Sequence, residues 1–152
     1  MVYKKDYDGQ VSAIITDAYV FEGKPIEPGT IPPKRFFTQR ACWDTGAEVT
    51  MISTHIAEAL GLQPFEHTSL MGIGGDEQVG VYLIHLGLPN GYLYRNLIVY
   101  ASDIDDYDVL IGVNLISESD FFITSIDGHN HFAFDIPATG KIELSPCPTT
   151  KG

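Results

Sequence analysis

Basic residues are scarce in this chain. Nine Lys and Arg stand against 20 Asp and Glu, a formal net charge of -11. Neutralising a phosphate backbone takes clustered Lys and Arg, and nine spread along 152 residues make no such patch, so a nucleic-acid partner is not expected. The acidic excess serves solubility first; a taste for basic substrates or work at lowered pH are the lesser readings. Cysteine is rarer still. Cys42 and Cys147 cannot supply the disulfide framework of a small secreted domain, and both read as free thiols. No run reaches the ~18 apolar residues of a membrane span. The opening Met1-Val2-Tyr3-Lys4-Lys5-Asp6-Tyr7-Asp8 lacks the apolar stretch of a secretory leader, so the expectation is a soluble, cytoplasmic protein without a membrane partner. Internal repeats and low-complexity segments are missing too, and with them any sign of a second domain.

What the chain does have is turn formers and aromatics. With 15 Gly, 9 Pro, 8 Tyr and 8 Phe, and apolar runs of mostly four to eight residues, the composition leans to β-structure with many turns. At 44% hydrophobic residues, one domain of this length should bury about two thirds of the surface its unfolded form exposes.

Residues 11–21 read as a strand, and the Pro-rich residues 24–33 as an exposed connection, because Pro25, Pro28, Pro32 and Pro33 cannot join a central ladder. Residues 1–35 are thus an N-terminal arm and strand of the same domain, 36–145 its body, and 146–152 a tail. Residues 36–43 form the next strand, delivering Asp44 to a turn at Thr45-Gly46, and 49–52 return as a strand. Ser53 or Thr54 caps a short helix over 56–60 that ends at Gly61. Segments 65–71 and 78–88 flank Gly72-Ile73-Gly74-Gly75-Asp76 as a hairpin with a glycine-rich tip. A turn at Pro89-Asn90-Gly91 leads into a strand over 92–100, and an acidic loop over 102–108 runs into Val109-Leu110-Ile111-Gly112. A short helix over 113–118, a hairpin of 121–126 with 131–136 around Asp127-Gly128, and a last strand over 141–144 complete the reading.

Chemistry concentrates at Cys42-Trp43-Asp44-Thr45-Gly46-Ala47. Alone, Asp-Thr-Gly is cheap: about one chain of this length in thirty holds it by chance. Its company is what counts. Apolar residues precede it, Val49, Met51 and Ile52 follow, then comes a Gly-tipped hairpin, and then Val-Leu-Ile-Gly.

In this order the motifs resemble the retropepsin-like aspartic protease family, in its bacterial and ubiquitin-shuttle forms more than its retroviral ones. The resemblance covers residues 44–127. It implies an all-β fold: a closed, mostly antiparallel β-barrel with one or two short helices and a flap hairpin. It implies Asp44, Thr45 and Gly46 as the catalytic loop, with Thr45 an interlock between subunits, and Gly72, Ile73 and Gly74 as the flap. Ala47 and Leu110 join Ile73 as candidates for substrate contact, and Val109-Leu110-Ile111-Gly112-Val113-Asn114-Leu115 becomes the brace and its following helix. The activity implied is peptide-bond hydrolysis without metal or cofactor. Because this chemistry needs two facing carboxylates and the chain carries one Asp-Thr-Gly, the implied partner is a second copy of the chain, and the implied substrate an extended peptide or protein. Retroviral members pair an Arg after the brace Gly with an acidic residue after the active-site Ala. Val113 and Glu48 stand there, so that ion pair cannot form. A terminal segment, the arm or residues 141–152, is expected to pair strands across the dimer.

Other chemistries fare worse. Gly72-x-Gly74 lacks the third glycine of a dinucleotide fingerprint, position 77 being Glu. His129 and His131 have no Cys or carboxylate cluster at metal-ligand spacing. Cys42 has no base beside it in sequence. The acidic run from Asp103 to Asp108 lacks the Gly and closing Glu of a calcium loop. Two readings remain beside the enzyme: a catalytically silent peptide-binding module on the same fold, and an unrelated β-domain in which Asp44 only makes a turn.

Overall fold

Ten strands and two short helices make up the described residues of the computed structural model, which are 1–32, 34–72 and 75–140. The strands are β1 (Tyr3–Asp6), β2 (Ile15–Glu22), β3 (Arg35–Trp43), β4 (Thr50–Ser53), β5 (Glu66–Gly72), β6 (Gly75–Gly87), β7 (Leu93–Ser102), β8 (Val109–Ile111), β9 (Asp120–Ile126) and β10 (His129–Asp135). Helix α1 (Thr54–Ala59) follows β4, and α2 (Val113–Ile116) follows β8. The expected strand over 141–144, Cys147 and the hairpin tip at Ile73 and Gly74 lie outside the described residues.

Seven strands form one sheet in the order β2-β3-β8-β4-β7-β6-β5, and an added pairing of β2 with β6 closes six of them into a barrel. The expected closed barrel is therefore observed. Most of its contacts are antiparallel, but β3 with β8 and β4 with β7 run parallel. Strict alternation explains why the barrel has one filled face: along β2, Thr16, Ala18 and Val20 turn inward while Asp17 and Tyr19 face out. Each strand contributes inward apolar groups, among them Val20, Ala41, Ile52, Ile84, Val99, Val109 and Ile111, all without solvent exposure. Burying each of the larger ones is worth about 1.5–3 kcal/mol. His85 is the polar member of this interior. Its Nε2–H donates to Lys24 O at 2.7 Å and its Nδ1 accepts Asn96 N–H at 3.0 Å, which satisfies the backbone at the irregularity between β6 and β7.

The hairpin of β9 and β10 turns at Asp127-Gly128, both with positive φ, as the sequence suggested. The N-terminal arm holds a strand the sequence reading did not isolate. β1 lies antiparallel on β10, giving a three-stranded sheet in the order β1-β10-β9. Residues 11–14, expected to extend the second strand, are loop instead; Val11 N–H is taken by the Asn130 side chain at 2.8 Å and so leaves the ladder. Helix α1 ends as expected, with Gly61 in the left-handed region and Leu62 N–H donating to Ala57 O. No helix among the described residues is long and apolar enough to cross a membrane.

An aromatic seam joins the small sheet to the barrel. Trp43, the last residue of β3, has ring-centroid distances of 4.6 Å to Phe134, 5.5 Å to Phe132 and 5.7 Å to Phe121, and its indole N–H donates to Thr16 Oγ1 at 3.0 Å. Truncating it removes both the packing and the anchor of the residue before Asp44. Trp43→Ala is expected to lower the unfolding free energy by about 3–5 kcal/mol, read as a fall in the denaturant midpoint; a loss under 1 kcal/mol would show that the seam is not a keystone.

Candidate active site

Asp44 leaves β3 at its carboxyl end, after Ala41, Cys42 and Trp43 have all been buried. Its N–H still continues the parallel ladder by donating to Ile111 O at 2.8 Å, and there the ladder stops. The carboxylate turns back on its own loop, where Oδ1 accepts Gly46 N–H at 2.9 Å. A Cβ at position 46 would stand 3.1 Å from that same oxygen, so glycine here leaves the carboxylate its room. Thr45 is exposed, and its hydroxyl makes no hydrogen bond among the described residues.

The segment after Asp44 is laced to the brace by polar groups. Val113 N–H donates to Ala47 O at 2.8 Å, and Asn114 N–H to Glu48 O at 3.2 Å. Asn114 Oδ1 accepts both the N–H and the hydroxyl of Thr50, at 2.9 and 2.8 Å, while Thr50 Oγ1 accepts Gly112 N–H at 3.0 Å. The amide of Asn114 donates onward to Ile98 O at 3.1 Å. Gly112 sits at the tightest point: a Cβ there would fall 2.7 Å from Ala47 O, 2.8 Å from Val49 C and 2.9 Å from Thr50 N. All three are backbone atoms with nowhere to go. Where an Arg–carboxylate pair was ruled out at Val113 and Glu48, main-chain bonds and Asn114 make the tie.

Asp44 and Thr45 open onto a cavity of about 490 Å³, shared with Val11, Ser12, Ala13, Ile14, Cys42, Trp43, Tyr107, Phe121, Ile123 and Asn130. Several of these were passed over in the sequence. Tyr107 carried the one usable signal, as the sole aromatic in an acidic loop. Cys42 lies two residues before Asp44, on the same face of β3. Burial first and the nearby charge of Asp44 second push its thiol above the ordinary range, against a hydrogen bond with Tyr107 that works the other way. A thiol so held is a packed neutral group and not an activated nucleophile. Leu110 is half-buried and in register with Cys42 across the parallel ladder. Ala47 sits on the loop itself. Gly72 ends β5 opposite Gly75, and the described part of that hairpin does not line this cavity. A second cavity, about 540 Å³, lies under the Pro-rich connection among Glu22, Lys24, Glu27, Ile31 and Lys34, where Lys24 pairs with Glu22 at 3.2 Å.

The loop entering β8 is fixed by Asp108. Thr38 Oγ1 donates to its Oδ2 at 2.6 Å and Arg40 to its Oδ1 at 2.8 Å, and its backbone joins β3 and β4 through Arg40 O and Ser53 N–H. Ser53, His55 and Asp108 form a line of contacts that suggests a serine nucleophile, with His55 Nε2 3.7 Å from Asp108 Oδ1. Ser53 is only 5% exposed and Asp108 is already engaged, so no accessible nucleophile results. Among the described residues no group of three or more His, Cys, Asp or Glu converges as metal ligands would.

No family model matches the chain, and no curated protein matches its sequence. A solved structure does match. The crystal structure of a retropepsin-like aspartic protease from Rickettsia conorii superposes with a TM-score of 0.52 at 12% identity, over 88% of this chain and 92% of that one. The fold is retropepsin-like. Within that fold, the strand end carrying Asp44 and the brace at Gly112 are bound into one rigid corner.

Two measurements test this corner. Gly112→Ala should cost at least about 1–3 kcal/mol of stability by overpacking, seen in chemical denaturation; an unchanged midpoint would mean that the close approach is not real. For Asp108, burial opposes the charge, but the bonds from Thr38 and Arg40 and the charge of Arg40 outweigh it and hold the carboxyl below its ordinary value. The resulting stabilisation is present above the unfolded value, near pH 4, and is lost as pH falls through the lower folded one. Asp108→Asn should therefore destabilise by about 1–3 kcal/mol at neutral pH, with the gap to wild type closing below pH ~4; a gap independent of pH would refute the assignment.

Proposed function

We propose that the chain is an aspartic endopeptidase of the retropepsin-like family that works as a two-fold symmetric homodimer on extended peptide segments. The observation that carries this is Asp44 itself: one half-buried carboxylate per chain, at the rim of a cavity of about 490 Å³, on a loop pinned to the brace in a retropepsin-like fold. A solitary carboxylate cannot be general acid and general base in the same step. Two copies of Asp44 a few ångströms apart can, because like charges at that distance resist double ionisation and the pair keeps one proton. The ionised member takes a proton from water as the water attacks the scissile carbonyl, the protonated member stabilises the developing oxygen charge, and the leaving nitrogen is then protonated.

The neighbouring residues have parts in this reading. Thr45, exposed and without a hydroxyl partner among the described residues, is available to bond across the two-fold axis. Gly46 holds the carboxylate through its N–H. Ala47 brings no hydroxyl to donate to Asp44. Cys42 and Tyr107 line the cavity beside Asp44 and are the side chains a bound segment would meet there, while Ala47 and Leu110, which do not line it, are substrate contacts on the resemblance alone. In this reading the hairpin of β5 and β6 acts as the lid, which would add main-chain bonds to a bound strand.

Peptide cleavage by the wild type should follow a bell-shaped pH profile, survive chelators and thiol blockers, and fall by about 10²–10⁴-fold or more in Asp44→Asn. Cleavage that persists in that variant would defeat the proposal. Tight peptide binding without turnover from acidic to neutral pH would instead select the silent binding module.

A further inference from the structure

We infer that the outer face of the barrel carries a second binding site, for an arginine side chain of a protein partner, in the pocket where Asp17 stands among Tyr3, Tyr19 and Phe37. An outward sheet face is normally dressed in polar side chains. Here it is aromatic. Tyr19 on β2 and Phe37 on β3 are cross-strand neighbours with ring centroids 4.9 Å apart, and they remain 39% and 47% exposed. Phe21 continues the row at 6.2 Å from Tyr19. Gly87 on β6, opposite Tyr19, leaves these rings their room: a Cβ there would stand 3.1 Å from the Tyr19 Cβ and 3.4 Å from the Phe21 ring. Tyr19, Phe37 and Gly87, with Tyr3 and Pro89, bound a pocket of about 470 Å³.

The occupant follows from charge. Asp17 is exposed and lines this pocket, it forms no ion pair among the described residues, and no Lys or Arg among them joins it in the lining. Its field reaches Tyr3, whose phenol is pushed above the ordinary range by burial first and by the charge of Asp17 second. A carboxylate flanked by aromatic rings suits an organic cation, which can pair with the one and lie over the others. The chain itself uses this affinity, since Arg35 holds its guanidinium carbon 5.8 Å from the Tyr19 ring centroid. A guanidinium fits better than an ammonium, because its plane stacks on a ring while its edge donates to the carboxylate. The net charge of -11 adds a long-range attraction for a basic partner. This pocket shares no lining residue with the Asp44 cavity, and Phe37 near the start of β3 is roughly 20 Å along the strand from Asp44 just past its end. The site therefore stands whether or not the catalytic reading does.

The test titrates the full chain with the peptide acetyl-Gly-Gly-Arg-Gly-Gly-amide and follows backbone amide resonances. Binding in the millimolar range is expected, with shifts confined to residues 3, 17–19, 37 and 87–91. The same peptide with citrulline, which keeps the shape and loses the charge, should bind about tenfold more weakly, and the lysine peptide about threefold more weakly. Asp17→Asn should weaken the arginine peptide by about tenfold and Phe37→Ala by about threefold or more. Both alter exposed side chains, so the rest of the spectrum should stay in place, and Asp44→Asn should bind the peptide as wild type does. Equal binding of the arginine and citrulline peptides would overturn the site. So would shifts spread over other acidic surfaces and unchanged in Asp17→Asn, which would mean only the general attraction of an acidic chain. Absence of binding to wild type would overturn it as well, and binding seen only after Lys141→Ser with Lys151→Ser would give the pocket to the chain's own tail and overturn it equally.

Discussion

The contact between Gly112 and the main chain of residues 47–50 is the constraint on which the candidate site depends. Two segments sixty residues apart approach so closely that no side chain fits between them, and everything near Asp44 is arranged to allow that approach. Backbone groups brought so near must find partners, because an orphaned N–H at such a place costs about as much as a lost hydrogen bond. The partners form a chain. Gly112 N–H donates to the Thr50 hydroxyl, which donates to Asn114 Oδ1, whose amide donates to Ile98 O. Each link fixes the direction of the next, and linked hydrogen bonds of this kind reinforce one another. The loop of Asp44 is thus anchored from outside, and the carboxylate carries only the bond from Gly46 N–H on its Oδ1.

Barrel topology explains why the corner lies where it does. A parallel contact needs a long connection, and β3 reaches β8 only after the chain has gone out through β4, α1 and the three strands that follow. Both β3 and β8 then end at the same rim, one handing on to the Asp44 turn and the other to Gly112 and α2. The aromatic seam adds the third support. With Trp43 packed against Phe121, Phe132 and Phe134, the small sheet is tied to the residue that immediately precedes the carboxylate. A disturbance in β9 or β10 has a packed route to the site, through rings in contact.

Much of this was legible before any coordinates. Apolar runs separated by Gly, Pro and Asn turns gave most strands to within a few residues, and the order of the Asp-Thr-Gly turn, the Gly-tipped hairpin and the brace pointed to the barrel. The failures share one physical cause, which is dependence on distant partners. β1 is a four-residue strand with two lysines, and it is a strand only because residues some 130 positions later offer it a ladder. Val11 to Ile14 look like strand by content, yet Asn130 captures Val11 N–H and the segment becomes a cavity wall. Asn114 reads as an ordinary residue in the first turn of a helix; its three hydrogen bonds exist only once β4 and β7 are beside it. Tyr107 was hidden by its acidic neighbours, whose solvated character says nothing of the one ring among them.

A single chain brings one carboxylate to this cavity, since the remaining polar members among its described lining are Ser12, Cys42, Thr45, Tyr107 and Asn130. None of these is a second carboxyl group that could share a proton with Asp44, so the two-carboxylate chemistry proposed above has to draw its second member from outside the cavity. What the fold itself supplies is the setting: a strand end, a glycine that leaves Oδ1 its room, and a wall of Trp43, Phe121 and Ile123 on one side of the carboxylate.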